Sequence, residues 1–158
     1  MTEKKAFQDY YADEVSYCYG CGRLNDKGLQ IKSYWDGEEA VCTYRPLAHH
    51  MAIPGFVYGG LIASLIDCHS TGTAAAAAYR AENRGMDTEP AQRFVTASLH
   101  VDYLRPTPIE AGLTIRARVE EMSGRKVIVS SRLLADDELC ARGEAVLVRM
   151  PEKWLVNR

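Results

Sequence analysis

The stretch "HHMAIPGFVYGGLIASLIDCHSTGTAAAAAYRAENRG", residues 49–85, decides the fold. It holds the most apolar run of the 158-residue chain, yet one carboxylate, Asp67, sits inside it between Ile66 and Cys68. Gly59-Gly60 opens a helix expected to end near Asn83–Gly85, with Gly85 as the left-handed residue just past its last turn. A length of about 24 residues corresponds to roughly 36 Å. Ala74–Ala78 favour the helix and give it a slim surface for close packing. Residues 61–81 also invite a membrane reading, but Asp67, His69 and several Ser and Thr interrupt them. A charge at bilayer depth costs at least about 2.5 kcal/mol, so a buried helix of a soluble domain is expected.

On either side of the helix the period falls to two. "LQIKSYW" and "EAVCTYR" flank Asp36-Gly37, a hairpin signal, and Pro46 closes the second strand. Downstream, "RFVTASLHVDYLRP" places Val95, Ala97, Leu99, Val101 and Tyr103 on one face, with Thr96, Ser98, His100 and Asp102 on the other. "LTIRARVEE", "KVIVSSRLLA" and "ELCARGEAVLVRM" follow, separated by Ser123-Gly124 and Asp136-Asp137, which are hairpin-length connections. Two strands, a long helix and four strands make an α+β chain whose antiparallel sheet curls around the helix. Residues 1–17 are read as an N-terminal arm or short surface helix, 18–150 as the domain and 151–158 as a tail.

Composition excludes several classes. A formal net charge of −2 leaves no basic surplus for nucleic acid. Five scattered cysteines and an N-terminus without an apolar core fit the cytoplasm better than a secreted disulfide scaffold.

The first amides of a helix lack internal partners, so amides at Gly59 and Gly60 suit an oxygen that gains negative charge during acyl transfer. A tight turn is the plainer use of the same glycines. Asp67, seven residues past Gly60, needs either a hydrogen-bonding neighbour such as Ser or Thr, or a wet cleft. Seven residues span about 10 Å, too far for one chain's amides and carboxylate to meet at one carbon. If both act, they come from different chains, across a dimer interface.

"PGFVYGGLIASLID" followed by "VTASLHVDYLRPTP" resembles the hotdog-fold acyl-CoA thioesterases, close to their phenylacetate-pathway branch. The likeness runs over about residues 18–150 and includes the opening "CYGCGRLNDKGL". It implies hydrolysis of an acyl-CoA thioester without metal or redox cofactor. It further implies an oxyanion-binding amide at Gly59 or Gly60, a base or nucleophile at Asp67, and an orienting hydroxyl at Thr96. Homodimers with shared sites, often paired into tetramers, come with it. Where many members have His before the glycine pair this chain has Tyr58, and where some have Asn it has Ala52; His49 or His50 is then the candidate to polarise the carbonyl. A non-catalytic acyl-CoA-binding module and, from "HHMAIPG", a hotdog enoyl thioester hydratase or dehydratase are the competing readings.

Basic residues should hold the coenzyme A phosphates: Arg125 and Lys126 first, then Arg84 and Arg105. Cys18-x-x-Cys21 is read as a reduced thiol pair; a zinc site would need Cys42 with His49 or His50 to complete it. His69 is expected to be a satisfied core or interface histidine. Cys68 and His69 diverge by about 100° on a helix and form no triad. His100, on the polar strand face, is expected to be a solvated or interface residue and not a catalyst.

Overall fold

The structure, a computed structural model, describes residues 3–156. Six strands form one antiparallel sheet: β1 (Ser33–Asp36), β2 (Glu39–Tyr44), β3 (Phe94–Tyr103), β4 (Leu113–Ser123), β5 (Lys126–Ala135) and β6 (Glu138–Arg149). Their order is β1-β2-β4-β5-β6-β3, so β3 crosses over to pair with the last strand and becomes an edge. The hairpins close where the turn residues foretold. Gly37 and Gly124 take positive φ, as do Asp136 and Asp137, the residue types that tolerate the left-handed region.

The sheet wraps α1 (Gly59–Ala81), the hotdog arrangement. Leu61, Leu65 and Ile66 meet Leu113, Ile115 and Leu133 at one end of the core, and the alanines meet Val127, Val129 and Leu147 at the other. Ala74–Ala78 are all buried. Five consecutive residues exceed one helical turn of 3.6, so α1 is enclosed on every side there. The chain's own N-terminus closes the side that the sheet leaves. Instead of a surface helix or frayed arm, the described part forms 3-10 turns at Phe7–Tyr10 and Asp13–Val15. Phe7 packs into the alanine end, and Gln8 lies against Gly72, where an added Cβ would stand 2.8 Å from its amide nitrogen.

A polar thread ties these layers. Gln8 Nε2 donates to Ser33 Oγ at 3.0 Å, and Ser33 N donates to Gln8 Oε1 at 2.8 Å. Ser33 Oγ lies 2.8 Å from His69 Nδ1, and His69 Nε2 lies 3.1 Å from Ala40 O. Donation from the serine to Nδ1 and from Nε2–H to the carbonyl satisfies every partner with a neutral ring. Burial holds the His69 pKa down at about 4. His69 is the satisfied core histidine that was expected.

Three local expectations need correction. Asn83, not Gly85, is the left-handed residue after α1 (φ 52). Its amide donates to Arg80 O and that of Arg84 to Tyr79 O, both at 3.0 Å, the paired bonds of a Schellman ending. In "LQIKSYW" only Ser33 onward is strand: Gln30 has φ 57, although Leu29 and Ile31 still enter the core. In β3 the alternation breaks. Thr96 pairs with Leu147 and Ser98 with Val146, leaving Ala97 as an unpaired bulge. The bulge flips the phase, so Thr96 shares the inner face with Leu99 and Val101 rather than the outer face with His100.

Candidate active site

Most of α1 is buried, but Gly59, Gly60, Ala63, Ser64, Asp67 and Thr71 are half-exposed. Steps of three and four residues place them on one face. Ser64 and Thr71 turn their hydroxyls back onto the helix, donating to Gly60 O (2.8 Å) and Asp67 O (2.7 Å). Neither reaches the Asp67 carboxylate. That group is met from β3: Thr96 Oγ1 donates to Asp67 Oδ1 at 2.5 Å, the short distance typical of a hydroxyl on a carboxylate. Oδ2 has no protein donor among the described residues and lies on the half-exposed face.

At the helix start, Tyr58 is the N-cap residue and no side chain caps the first turn. Leu61 N and Ile62 N both donate to Tyr58 O (3.1 and 3.4 Å), whereas the Gly59 and Gly60 amides have no acceptor among the described residues. Neither glycine has positive φ; the turn-forming glycine of this loop is Gly55, at φ 90. Close approach bears on position 60: a Cβ there would stand 2.3 Å from the Tyr58 ring, whereas one on Gly59 would meet the Tyr103 ring at 3.4 Å, an ordinary contact. Tyr103 Oη also donates to Gly59 O at 2.8 Å. The pair therefore lies between two phenols, and the Tyr103 contact is one that sequence reading missed, because it placed Tyr103 simply among apolar-face residues. As α1 is unbroken, Gly60 and Asp67 remain about 10 Å apart along its axis.

The other candidates fall into three places. His50 is bound to the helix start through its backbone, its carbonyl accepting from Tyr58 N at 2.8 Å, while its Nδ1 accepts from Leu47 N at 3.0 Å. Burial and neighbouring His49 lower its pKa. Arg105 follows Tyr103 by two residues, at the same end of β3 as Gly59, and pairs with Glu138. Arg125 and Lys126 lie at the other end: Lys126 pairs across Val148, which pairs with Val95 beside Thr96. Arg125 donates to Arg149 O at 2.9 Å, and Lys126 is 3.2 Å from Glu121. Arg84 orders the loop beyond α1 instead, bonded to Glu82, Thr88 and Pro90 at the end of the helix far from Gly59. His100 is exposed as expected, 3.1 Å from Asp102 on the outer face of β3. The third sulfur beside Cys18 and Cys21 is Cys68 and not Cys42.

The description "Thioesterase superfamily" belongs to a family model that matches residues 54–141, from the loop before the glycine pair to β6. The acyl-coenzyme A thioesterase THEM4 of Rattus norvegicus is 30% identical over 133 residues, 81% of this chain and 52% of that protein. THEM4 of Xenopus laevis is 35% identical over 105 residues, 66% of this chain and 41% of that protein. This chain thus spans about half the length of the curated relatives it matches. Among solved structures, a thioesterase superfamily protein from Shewanella loihica PV-4 superposes with a TM-score of 0.68 at 46% identity, covering 89% of this chain and all of that one (100%). With the matched segment carrying the glycine pair, Asp67 and Thr96 alike, the chain belongs to the thioesterase superfamily.

Proposed function

We propose that this protein hydrolyses an acyl-CoA thioester in a site shared by two protomers. One protomer supplies Asp67 and Thr96, the other the uncapped amides of Gly59 and Gly60. Thr96 fixes Oδ1, leaving Oδ2 to take a proton from water or to attack the thioester carbon directly. The carbonyl oxygen becomes negative as the carbon turns tetrahedral, and the partner's helix start offers N–H groups to it. Collapse expels the coenzyme A thiolate, which in the first route takes the proton held by Asp67. In the second route, collapse leaves an acyl-aspartyl anhydride, which water then hydrolyses, giving one proton to the thiolate. Either way one water is consumed and an acid and a thiol are formed. No metal or redox cofactor is needed for these steps.

The observation that carries this reading is the Asp67–Thr96 hydrogen bond on the same helical face as a glycine pair with unsatisfied amides. The homodimer is supported by β3, a ten-residue strand at the sheet edge with no neighbouring strand on its outer side among the described residues. A long unpaired edge is a template for a second chain, and this one borders Asp67. Two such dimers could pair further into a tetramer. In a shared site Arg105 would stand beside the amides, and Arg125 with Lys126 beside Asp67, so both chains contribute cations for the coenzyme A phosphates. The five free cysteines support a cytoplasmic location. No described helix is long and apolar enough to cross a membrane.

The test is thiol release from short, long and aromatic acyl-CoAs by wild type and Asp67→Ala. Turnover of at least one class, abolished in the variant while the oligomer persists, is the expected result. Near-normal turnover by Asp67→Ala would refute the assignment. Binding without turnover would establish the acyl-CoA-binding module, a reading favoured by the Tyr58 ring lying against Gly60. Hydration of enoyl thioesters would establish the hydratase reading.

A further inference from the structure

Cys18, Cys21 and Cys68 have no part in the proposed hydrolysis, yet their sulfurs all lie within 4.8 Å of one another. We propose that they form a thiolate site for one thiophilic d10 cation, Zn2+, which pins the N-terminal loop to α1. The proposal stands independently of acyl-CoA hydrolysis.

The first argument is geometric. Tetrahedral zinc with bonds of about 2.3 Å sets its sulfurs about 3.8 Å apart. Cys18 and Cys68 already lie at 3.7 Å, from residues fifty positions apart in the chain. Gly20 makes this approach possible: its added Cβ would fall 2.3 Å from Cys68 Sγ. A side chain at position 20 would force the loop or the Cys68 sulfur to shift.

The second argument is electrostatic. Residues 19–21 form a turn that brings Cys21 back beside Cys18, so two of the three sulfurs come from one bend of the chain. Gly22 N closes the same turn on Cys18 O at 2.8 Å. Three thiolates and Zn2+ carry a net charge of about −1, which a buried site must offset. Arg93 acts on Cys21 as a neighbouring positive charge. Its Nη1 is buried without a hydrogen-bond partner among the described residues, while Nη2 donates to Val15 O at 3.3 Å and the guanidinium stacks on Tyr11 at 3.3 Å.

The third argument concerns need. Residues 16–32 contain neither helix nor strand, yet Cys21, Leu29 and Ile31 from them enter the core. Stretches of this length without regular structure are uncommon in compact domains. A metal joining residue 18 to residue 68 closes a long loop, the case in which a clip stabilises most. Cys18 is exposed, so the fourth position on its side would be open to solvent.

The full chain, purified under reducing conditions, stripped with a chelator and dialysed, is titrated with Zn2+ against a chromophoric chelator, and separately with Co2+. One zinc per chain and a sulfur-to-cobalt charge-transfer band are expected. Cys18→Ser, which changes one atom of an exposed side chain, is expected to weaken zinc binding by at least about a hundredfold. Cys68→Ser should do the same, and Cys42→Ser should leave it unchanged. On metal removal, limited proteolysis should shift to cuts within residues 16–32. Absence of stoichiometric binding by the reduced wild type, or equal affinity in Cys18→Ser, would overturn the proposal. So would a Cys18–Cys68 or Cys18–Cys21 disulfide, lighter by two hydrogens, in metal-free protein isolated without reductant or oxidant.

Discussion

Thr96 on edge strand β3 holds Asp67 on the central helix through a 2.5 Å hydrogen bond, and it does so only because Ala97 bulges out of the strand. A hydrogen bond to a charged group contributes about 1.5–3 kcal/mol. If it aligns the carboxylate for the chemical step, Thr96→Val should lower kcat by about 10–100-fold. Thr96→Ser, which keeps the hydroxyl, should recover most of the rate. The combination Thr96→Val with Asp67→Asn should be no slower than Asp67→Asn alone. Full additivity of the two losses would show that Thr96 acts separately from Asp67.

The glycine pair offers a steric test. Gly60→Ala places a methyl 2.3 Å from the Tyr58 ring, so the ring or the first turn must shift. Displacing one oxyanion donor costs about 2.7–4 kcal/mol, or roughly a 10²–10³-fold loss in kcat. In Tyr58→Ala the obstruction is gone, and adding Gly60→Ala there should cost far less. An equal loss in both backgrounds would mean that the alanine harms something other than its fit against Tyr58.

His69 sets a pH limit on stability. Its pKa is about 4 in the folded chain against 6.5 for an unperturbed histidine, because burial disfavours the charged ring. Between these values the unfolded chain binds more protons than the folded one, so stability falls as pH falls. His69 contributes no penalty above pH 6.5; the loss grows through the window and levels off below about 4, reaching about 3 kcal/mol. Urea unfolding at successive pH values should show this slope. His69→Gln, which cannot take up the proton, should be less stable at neutral pH but should flatten the curve. An unchanged slope in that variant would assign the pH dependence to other groups.

Much of this architecture was legible because turn chemistry and periodicity agreed. Gly37, Gly124 and the Asp136-Asp137 pair marked three hairpins correctly. The helix start was equally plain, since Gly59-Gly60 precedes the most apolar stretch of the chain. What failed to show was anything depending on a single inserted residue or on contacts distant in the chain. Strict alternation sends Thr96 outward; only the bulge at Ala97 turns it toward Asp67, and no residue type in "FVTASL" announces a bulge. Likewise, Asn83 competes with Gly85 for the helix ending because asparagine also enters the left-handed region. Cys68 could be joined to Cys18 and Cys21 only by knowing that the loop folds back over α1 at Gly20.

The shared site makes one prediction that no single-chain mechanism shares. Gly60 and Asp67 are held about 10 Å apart by the same rigid helix, so the proposed active centre requires them to come from two protomers. Asp67→Ala and Gly60→Ala homodimers should both be nearly inactive. Unfolding them together and refolding the mixture yields heterodimers in about half of the molecules, and in each of these one of the two sites carries both intact elements. Activity should therefore return to about a quarter of the wild-type value, whereas mixing without subunit exchange should restore nothing. If the refolded mixture stays at the level of its parents while a differentially tagged pull-down proves that heterodimers formed, then Asp67 and the Gly60 amide do not serve one centre from separate chains.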